Sequence, residues 1–221
     1  MSERTKSFFL TPEVHDYLVG HSRAPDAVLR DLAEQTRRAV EGLWIMQIAP
    51  EQGAFMELLA RLSGARRAVE VGTFTGYSAI CLARGLGEGG RLLCLDASEE
   101  WTAIARRYWR RAGLDDRIEL RLGPAAQTLS ALPCEPLFDL AFIDADKPNY
   151  LVYYEAILAR MPVGGLVIAD NVLWSGAVVD PEKQDEQTRA LRAYNDFVAA
   201  DPRVETSMIP VGDGLLLARK R

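Results

Sequence analysis

The sequence predicts an α/β protein in which a mostly parallel sheet carries helices on both faces and ends in an antiparallel hairpin. From residue 67 onward, short apolar segments alternate with helical ones, which is the pattern of strands and crossover helices in a parallel sheet. Several apolar segments end at a Gly or an Asp, where a strand gives way to a loop. The last two are separated by a short turn that contains Gly, which is typical of a hairpin.

The composition indicates one globular domain. The chain has 221 residues, of which 48% are hydrophobic and 26% are charged. The change of pattern near residue 64 divides this domain into two parts. We expect residues 1–63 to form an N-terminal helical cap region and residues 64–221 to form the core that carries the sheet.

Charge, hydropathy and cysteine content restrict the partners and the compartment. The formal net charge of −5 argues against a nucleic-acid partner. No apolar run approaches the roughly 18 residues that span a bilayer, and the N-terminus lacks the apolar core of a secretory signal. We therefore expect a cytoplasmic protein with no membrane partner. The apolar contexts of Cys81, Cys94 and Cys134 predict reduced, buried thiols.

Three helices are expected in the cap region. They begin near Thr11, Pro25 and Pro50, where a proline stands beside a capping or acidic residue. The third helix is expected to end at Gly64. Its spacing predicts one apolar face, formed by Phe55, Leu58, Leu59 and Leu62.

The core is expected to contain five strands and then the hairpin. Each strand is a short apolar segment, and the first, second, fourth and fifth end at Gly72, Asp96, Asp144 and Asp170. The predicted strands are 68–71, 91–95, 117–122, 138–143 and 166–169, with hairpin strands 204–209 and 215–218. The predicted helices of the core are 77–85, 99–112, 150–161 and 185–200.

A glycine turn follows the first strand. Gly72 and Gly76 let the backbone approach a ligand without a Cβ clash, and ligands of such sheets lie beyond the carboxyl ends of the strands. The turn lacks the G-x-G-x-x-G pattern of a pyrophosphate site. Glu70, just before it, would repel phosphate and attract an ammonium group. A plain strand–helix turn is the alternative interpretation.

Asp96 ends the second strand, twenty residues after Gly76. An acidic side chain at this place can accept hydrogen bonds from both ribose hydroxyls of an adenosine group. The alternative is that Asp96 caps the helix that follows it.

Acidic and amide side chains also end the fourth and fifth strands. Asp144, Asp170 and Asn171 offer three oxygens at the carboxyl ends of neighbouring strands. Such a set suits a hard cation, Mg²⁺, Ca²⁺ or Mn²⁺. The alternative is that the three residues are polar caps of loops.

Four segments together resemble the cation-dependent, S-adenosylmethionine-dependent O-methyltransferases of catechol and caffeoyl-CoA type, in particular their bacterial small-molecule members. The segments are MQIAPEQG at 46–53, EVGTFTGYS at 70–78, FIDADK at 142–147 and ADN at 169–171. The resemblance runs from Thr11 to the last strand. It implies a Rossmann-like class I methyltransferase fold with a seven-stranded sheet, and it implies a homodimer.

The resemblance also implies roles for individual residues. Asp144, Asp170 and Asn171 correspond to the metal ligands, and Lys147 corresponds to the catalytic base or positioning group, with Asp144 beside it. Asp146 is assigned to the substrate. The cofactor contacts implied are Met46, Ile48, Glu70, Gly72, Thr73, Ser78, Asp96, Ala97, Ala125 and Asp144.

The acceptor is less defined by the sequence. Trp174, close to the predicted metal ligands, either stacks on an aromatic acceptor or packs inside the protein. Tyr150, Tyr153 and Tyr154 are interpreted as packing residues. The apolar segment 43–45 is either core or subunit interface.

The predicted function is therefore transfer of a methyl group from S-adenosylmethionine to a phenolic oxygen of a catechol-like or caffeoyl-type acceptor. A nicotinamide oxidoreductase should show the missing glycine pattern. A sugar-nucleotide transferase leaves Glu70 unexplained. A non-catalytic nucleoside-binding protein has no need of Lys147 or of the three predicted ligands.

Overall fold

In the computed structural model, residues 10–221 are described. Their α-helices are Pro12–Gly20 (α1), Ala27–Ala39 (α2), Pro50–Leu62 (α3), Tyr77–Gly85 (α4), Glu99–Arg111 (α5), Ala125–Ala131 (α6), Tyr150–Leu158 (α7) and Glu186–Ala200 (α8). Their strands are Arg67–Val71 (β1), Arg91–Asp96 (β2), Ile118–Leu122 (β3), Leu140–Ile143 (β4), Leu166–Ala169 (β5), Val204–Ile209 (β6) and Leu215–Lys220 (β7). No helix among these residues is long and apolar enough to cross a membrane.

The seven strands form one sheet in the order β3-β2-β1-β4-β5-β7-β6. The pairs from β3 to β5 are parallel, whereas β7 runs antiparallel to both β5 and β6. The predicted hairpin is confirmed, and its second strand, β7, is the one that inserts next to β5. Between β1 and β4 the strand order reverses direction, and such a switch point opens a crevice at the carboxyl ends of the strands.

Helices cover both faces of the sheet, as predicted. Alternate residues of each strand point to opposite faces. Ala68 and Leu92 therefore join a core with α2, α3, α4 and α5, while Val69 and Leu93 join a second core with α6, α7 and α8. This three-layer arrangement places the loops after β1, β2, β4 and β5 at one edge.

The capping signals in the cap region are confirmed. Thr11 and Asp26 each cap a helix by accepting a backbone N–H three residues on, from Val14 and Leu29. In the core, the ends of the predicted elements agree with the structure to within three residues. Helix α6 was not predicted, because its seven residues carry no apolar repeat.

The predicted apolar face of α3 is only partly buried: Phe55 and Leu59 pack against the first core. Leu58 and Leu62 are 53% and 75% exposed, whereas Gly53, Met56 and Ala60 are buried. Helix α3 packs closely on α4 through small residues: a Cβ on Gly53 would lie 2.9 Å from the sulfur of Cys81, and one on Gly85 2.7 Å from the Cβ of Ala60. Close packing of the two helices leaves Leu58 and Leu62 on the outside.

The cysteine prediction is correct for two residues. Cys81 and Cys94 are buried, whereas Cys134 is exposed in the loop after α6. The three thiols are free. The apolar neighbours of Cys134 in sequence do not bury it, because it follows a short surface helix.

Candidate active site

The glycine turn lies against the end of β4. Gly72 and Gly76 have φ angles of +87° and +88°. A Cβ on Gly72 would lie 1.9 Å from the carbonyl oxygen of Asp144, and one on Gly76 would lie 2.7 Å from the Cβ of Ala105. Both glycines are therefore required by packing within the chain, which was not foreseen. The close approach places Asp144 directly beside the turn.

Glu70 is a fully buried carboxyl group at the end of β1. Its Oε2 accepts a hydrogen bond from the thiol of Cys94 at 3.3 Å. Among residues 10–221, neither its buried Oε1 nor the buried Oγ1 of Thr73 has a hydrogen-bond partner. Burial raises the pKa of Glu70 to about 7. Because buried polar groups are normally hydrogen-bonded, these two oxygens fit a ligand that brings N–H donors to this turn.

Replacement of Glu70 by Gln is expected to stabilise the ligand-free protein at pH 8. The folded state holds a proton on Glu70 up to a pKa of about 7, while the unfolded chain releases it near 4.5, so stability falls as the pH rises between these values. The variant lacks this loss, which amounts to about 3 kcal/mol over that pH range. Urea unfolding at pH 5 and pH 8 measures it. An equal pH dependence in wild type and variant would contradict the assignment.

Asp96 ties the glycine turn to the end of β2. Its Oδ2 accepts the backbone N–H groups of Thr73 and Phe74, each at 2.8 Å, and its Oδ1 accepts that of Ser98 at 2.7 Å. The N-cap of α5 is Ser98, whose hydroxyl oxygen accepts the N–H of Trp101. The helix-cap interpretation of Asp96 is therefore wrong, and its contact with ribose remains a prediction.

Five polar residues meet at the carboxyl ends of β4 and β5, and we call them the polar cluster: Asp144, Lys147, Tyr150, Asp170 and Asn171. The Nζ of Lys147 donates to Asp144 Oδ1 at 3.2 Å, to Asn171 Oδ1 at 2.7 Å and to the Tyr150 hydroxyl at 2.7 Å. The Tyr150 hydroxyl in turn donates to the carbonyl oxygen of Asp170 at 3.1 Å. Oxygens from both strands thus surround one cationic nitrogen.

The two carboxylates of the polar cluster are electrostatically unfavourable together. Asp170 is 2% exposed, and burial, reinforced by the nearby Asp144, raises its pKa to about 7. Burial also raises the pKa of Asp144, while the charge of Lys147 opposes that rise. A divalent cation bound here would stabilise both carboxylates in their charged form and so reverse this shift.

The composition of the polar cluster fits a hard divalent ion. Asp144, Asp170 and Asn171 offer two carboxylates and an amide oxygen, the donors that Mg²⁺ and related ions prefer. The residues described here contain no group of three or more His, Cys, Asp or Glu side chains placed to hold a metal ion. The predicted ligands are two carboxylates and one amide, so they do not form a group of that kind.

Aromatic rings enclose Lys147. Its Nζ lies 4.8 Å from the ring centre of Tyr150 and 5.5 Å from that of Trp174. Trp174 belongs to the loop after β5 and is partly buried against the second core. Trp174 therefore lies against Lys147. This position is compatible with both interpretations of Trp174, stacking on an aromatic acceptor and packing inside the protein.

Asp146 is turned away from the polar cluster. Its carboxylate accepts hydrogen bonds from the Tyr153 hydroxyl, at 2.5 Å, and from the Asn149 amide. These contacts stabilise its own turn and give Asp146 a structural function. Its assignment to the substrate remains a prediction.

The other predicted cofactor residues are spread around the same edge. Ile48 and Ser78 are buried, Ala125 begins α6, and Ala97 is exposed after β2. Met46 is 46% exposed. Segment 43–46 as a whole is exposed, so the core interpretation of 43–45 is wrong. The roles of these residues toward a cofactor remain predictions.

Backbone strain is concentrated at this edge. Among the described residues, the non-glycine positions with positive φ are Phe74, Asn171, Trp174 and Ser175, at 48° to 57°. They occupy the glycine turn and the loop after β5. Such conformations persist where the surrounding structure enforces them, and they cluster at functional sites.

The sequence interpretation missed two members of the site. Tyr150 is buried and packs edge-to-face on Tyr194, as a packing residue does, yet its hydroxyl joins the polar cluster. Gln52 donates to Asp170 Oδ2 at 2.7 Å. The available signal for Gln52 was its place in the segment 46–53, which carried the family resemblance.

Comparison with known proteins identifies the family. The family model described as O-methyltransferase matches residues 20–221. The chain belongs to this O-methyltransferase family. Caffeoyl-CoA O-methyltransferase 1 of Zea mays is 36% identical over 229 residues, covering 97% of this chain and 87% of the maize protein. This membership decides against the oxidoreductase, sugar-nucleotide transferase and non-catalytic alternatives.

Solved O-methyltransferase structures share the fold. The Bacillus cereus O-methyltransferase in complex with SAH is 36% identical, with a TM-score of 0.86 and coverage of 95% of this chain and 97% of that one. TomG of Streptomyces achromogenes, an O-methyltransferase involved in tomaymycin synthesis and solved with SAM, is 32% identical, with a TM-score of 0.86 and coverage of 94% and 96%. The Rossmann-like methyltransferase fold predicted from the sequence is confirmed.

Proposed function

We propose that this O-methyltransferase moves the methyl group of S-adenosylmethionine to one hydroxyl of an aromatic vicinal diol, with a divalent cation held by Asp144, Asp170 and Asn171. The observation that carries the proposal is the polar cluster. Oxygens of Asp144 and Asn171, from two neighbouring strands, both contact the single cationic nitrogen of Lys147.

The donor is supported from two sides. Relatives of the same fold were solved with SAM and with SAH. In this chain, the partnerless oxygens of Glu70 and Thr73 suit the amino-acid end of such a donor, because an ammonium group supplies several N–H bonds. Asp96, at the end of the next strand, suits the ribose.

A bound divalent ion would lower the pKa of a coordinated acceptor hydroxyl and hold that hydroxyl in place. The chain's own residues do the rest. Lys147 has three acceptors around Nζ, which match the three N–H bonds of an ammonium group. We therefore assign Lys147 to electrostatic stabilisation of the acceptor phenolate and not to proton abstraction. Glu70 and the glycine turn would hold the amino-acid end of the donor, and such positioning of the reacting groups lowers the barrier to transfer.

The acceptor class rests on chemistry and on relatives. A vicinal diol presents two oxygens to one cation, and Trp174 offers an aromatic wall beside Lys147. A caffeoyl-CoA O-methyltransferase is 36% identical to the chain, and caffeoyl groups carry such a diol. We therefore rank free catechols and caffeoyl-type esters above simple phenols.

We also propose that the enzyme is a homodimer, which sedimentation velocity tests. Leu43, Trp44, Ile45 and Met46 are consecutive and exposed, and Ile45 is 75% exposed. An exposed apolar run of this length on a folded protein is typical of a binding surface.

The proposed reaction is tested with labelled S-adenosylmethionine and four acceptors: catechol, caffeic acid, its coenzyme A ester and a simple phenol. Transfer is expected to the diols only, in the presence of Mg²⁺ and not of EDTA. In the Asp170→Asn variant, activation by Mg²⁺ is expected to weaken by about 100-fold or more, since even a lost partner of a ligand costs 10–100-fold. Titration of Mg²⁺ against rate measures this.

Asp115→Asn is the matched control, because Asp115 is an exposed aspartate in the loop between α5 and β3, at the other edge of the sheet. Its Mg²⁺ dependence is expected to equal that of the wild type. Methyl transfer that persists in EDTA, or that reaches the simple phenol equally well, would contradict the cation mechanism.

A further inference from the structure

Gln52 is a buried amide that joins the cap region to Asp170. Its Nε2 donates to Asp170 Oδ2 at 2.7 Å, and both residues are 2% exposed. The two positions are 118 residues apart in the chain. Burying an amide is favourable only when it is hydrogen-bonded, so this contact is specific and holds α3 to the end of β5.

The turn between β6 and β7 holds Gln52 from the other side. Gly212 has a φ of +57°, and a Cβ there would lie 2.5 Å from Gln52 Oε1. The neighbouring Asp213 accepts the N–H of Ser175 at 2.6 Å. The same turn therefore packs on the Gln52 amide and fastens the loop that follows Asp170.

Two donors fix the rotation of the Asp170 carboxylate. Its Oδ1 accepts the N–H of Asn171 at 2.6 Å, and its Oδ2 accepts Gln52 Nε2. Each oxygen keeps a second lone pair. The amide of Gln52 is neutral, so it orients the carboxylate without competing with a cation as a charged partner would.

We infer that Gln52 is a positioning residue, which orients Asp170 toward the divalent cation and acts through this contact alone. The inference rests on the proposed function, because it assumes that Asp170 binds the ion. Hydrogen-bond partners of metal-binding carboxylates commonly contribute 10–100-fold to metal affinity.

The test is the affinity for Mn²⁺ alone, measured by electron paramagnetic resonance of the free ion, in the wild type and in Gln52→Leu. Leu has a similar size but donates no hydrogen bond, and we expect Mn²⁺ to bind about 10–100-fold more weakly. In assays, the Mn²⁺ concentration for half-maximal rate is expected to rise by the same factor, with kcat at saturating Mn²⁺ close to that of the wild type. Gln52→Asn, which keeps the amide on a shorter side chain, gives a second variant with the same expectation.

Thr36→Val is the matched control. Thr36 Oγ1 donates to Thr75 Oγ1 at 2.8 Å, and both residues are buried, so it is another buried link between cap region and core that does not touch Asp170. It is expected to lose stability and to keep the Mn²⁺ affinity.

Two outcomes overturn the inference, and they are distinguishable. If the Gln52 variants bind Mn²⁺ as the wild type does and lose only stability, like Thr36→Val, then Gln52 is a structural link. If the wild type itself does not bind Mn²⁺, the proposed cation site fails, and the inference fails with it.

Discussion

Replacement of Lys147 by Met is expected to reduce kcat for methyl transfer by about 10³-fold, within the 10²–10⁴ range typical of a group that acts on the proton or charge of a reacting atom. The Nζ of Lys147 contacts Asp144, Tyr150 and Asn171 within 3.2 Å. Methionine is unbranched and one atom shorter, so it fills most of the space beside the rings of Tyr150 and Trp174 but removes the charge. Binding of S-adenosylmethionine is expected to change little, since Lys147 lies on the β4 side of the glycine turn.

Comparison of Lys147→Met with Lys147→Arg separates two roles for Lys147, stabilisation of a phenolate and proton abstraction. An arginine is always charged and cannot accept a proton. If Lys147 stabilises a phenolate, then Lys147→Arg should retain more activity than Lys147→Met. Equal losses in the two folded variants would contradict the electrostatic role and favour proton abstraction.

Lys220→Met is the control for loss of a hydrogen-bonded lysine. The Nζ of Lys220 donates to the carbonyl oxygens of Leu158 and Met161 at 2.9 and 2.8 Å, at the end of β7, which lies at the sheet edge opposite the polar cluster. This variant is expected to lose some stability and to keep its kcat. Single-turnover rates with saturating donor and acceptor measure all three variants.

Much of the fold could be predicted because its signals are local. A capping residue such as Thr11 or Asp26 acts on N–H groups three residues away, and an apolar strand flanked by glycine or aspartate needs no distant partner to be recognised. The convergence of Asp144, Asp170 and Asn171 was also predictable, because parallel neighbouring strands end at the same edge. In each case the interacting residues are close in sequence, or the parallel order of the strands brings them together.

What could not be predicted depends on tertiary contacts. The most buried face of α3 is set by close packing of Gly53 and Ala60 on α4, which leaves Leu58 and Leu62 exposed although they are large and apolar. Gln52 and Asp170 are 118 residues apart in the chain, and neither the helical pattern around Gln52 nor the strand pattern before Asp170 indicates their contact. Tyr150 packs in the core and also accepts a hydrogen bond from Lys147. The second role depends on the position of Lys147 in the folded protein and cannot be read from the sequence around Tyr150.

Replacement of Gly72 by Ala is expected to destabilise the protein by about 4 kcal/mol. Part of this, about 1–2 kcal/mol, is the penalty of a side chain at a φ of +87°. The remainder arises because the new Cβ would lie 1.9 Å from the carbonyl oxygen of Asp144, so β1 and β4 must move apart, and overpacking of this kind costs about 1–3 kcal/mol. Urea unfolding of the ligand-free protein measures the total.

Gly64→Ala isolates the steric part. Gly64 has a φ of +66°, and a Cβ there would meet no atom of residues 10–221 within 4 Å, so only the backbone penalty of about 1–2 kcal/mol is expected. The difference between the two variants is the cost of separating the glycine turn from β4. If Gly72 served only to admit a ligand, Gly72→Ala would be no less stable than Gly64→Ala and would lose only affinity for S-adenosylmethionine. The backbone contact with Asp144 predicts the opposite, because the residue that shapes the glycine turn also sets the position of the first proposed metal ligand.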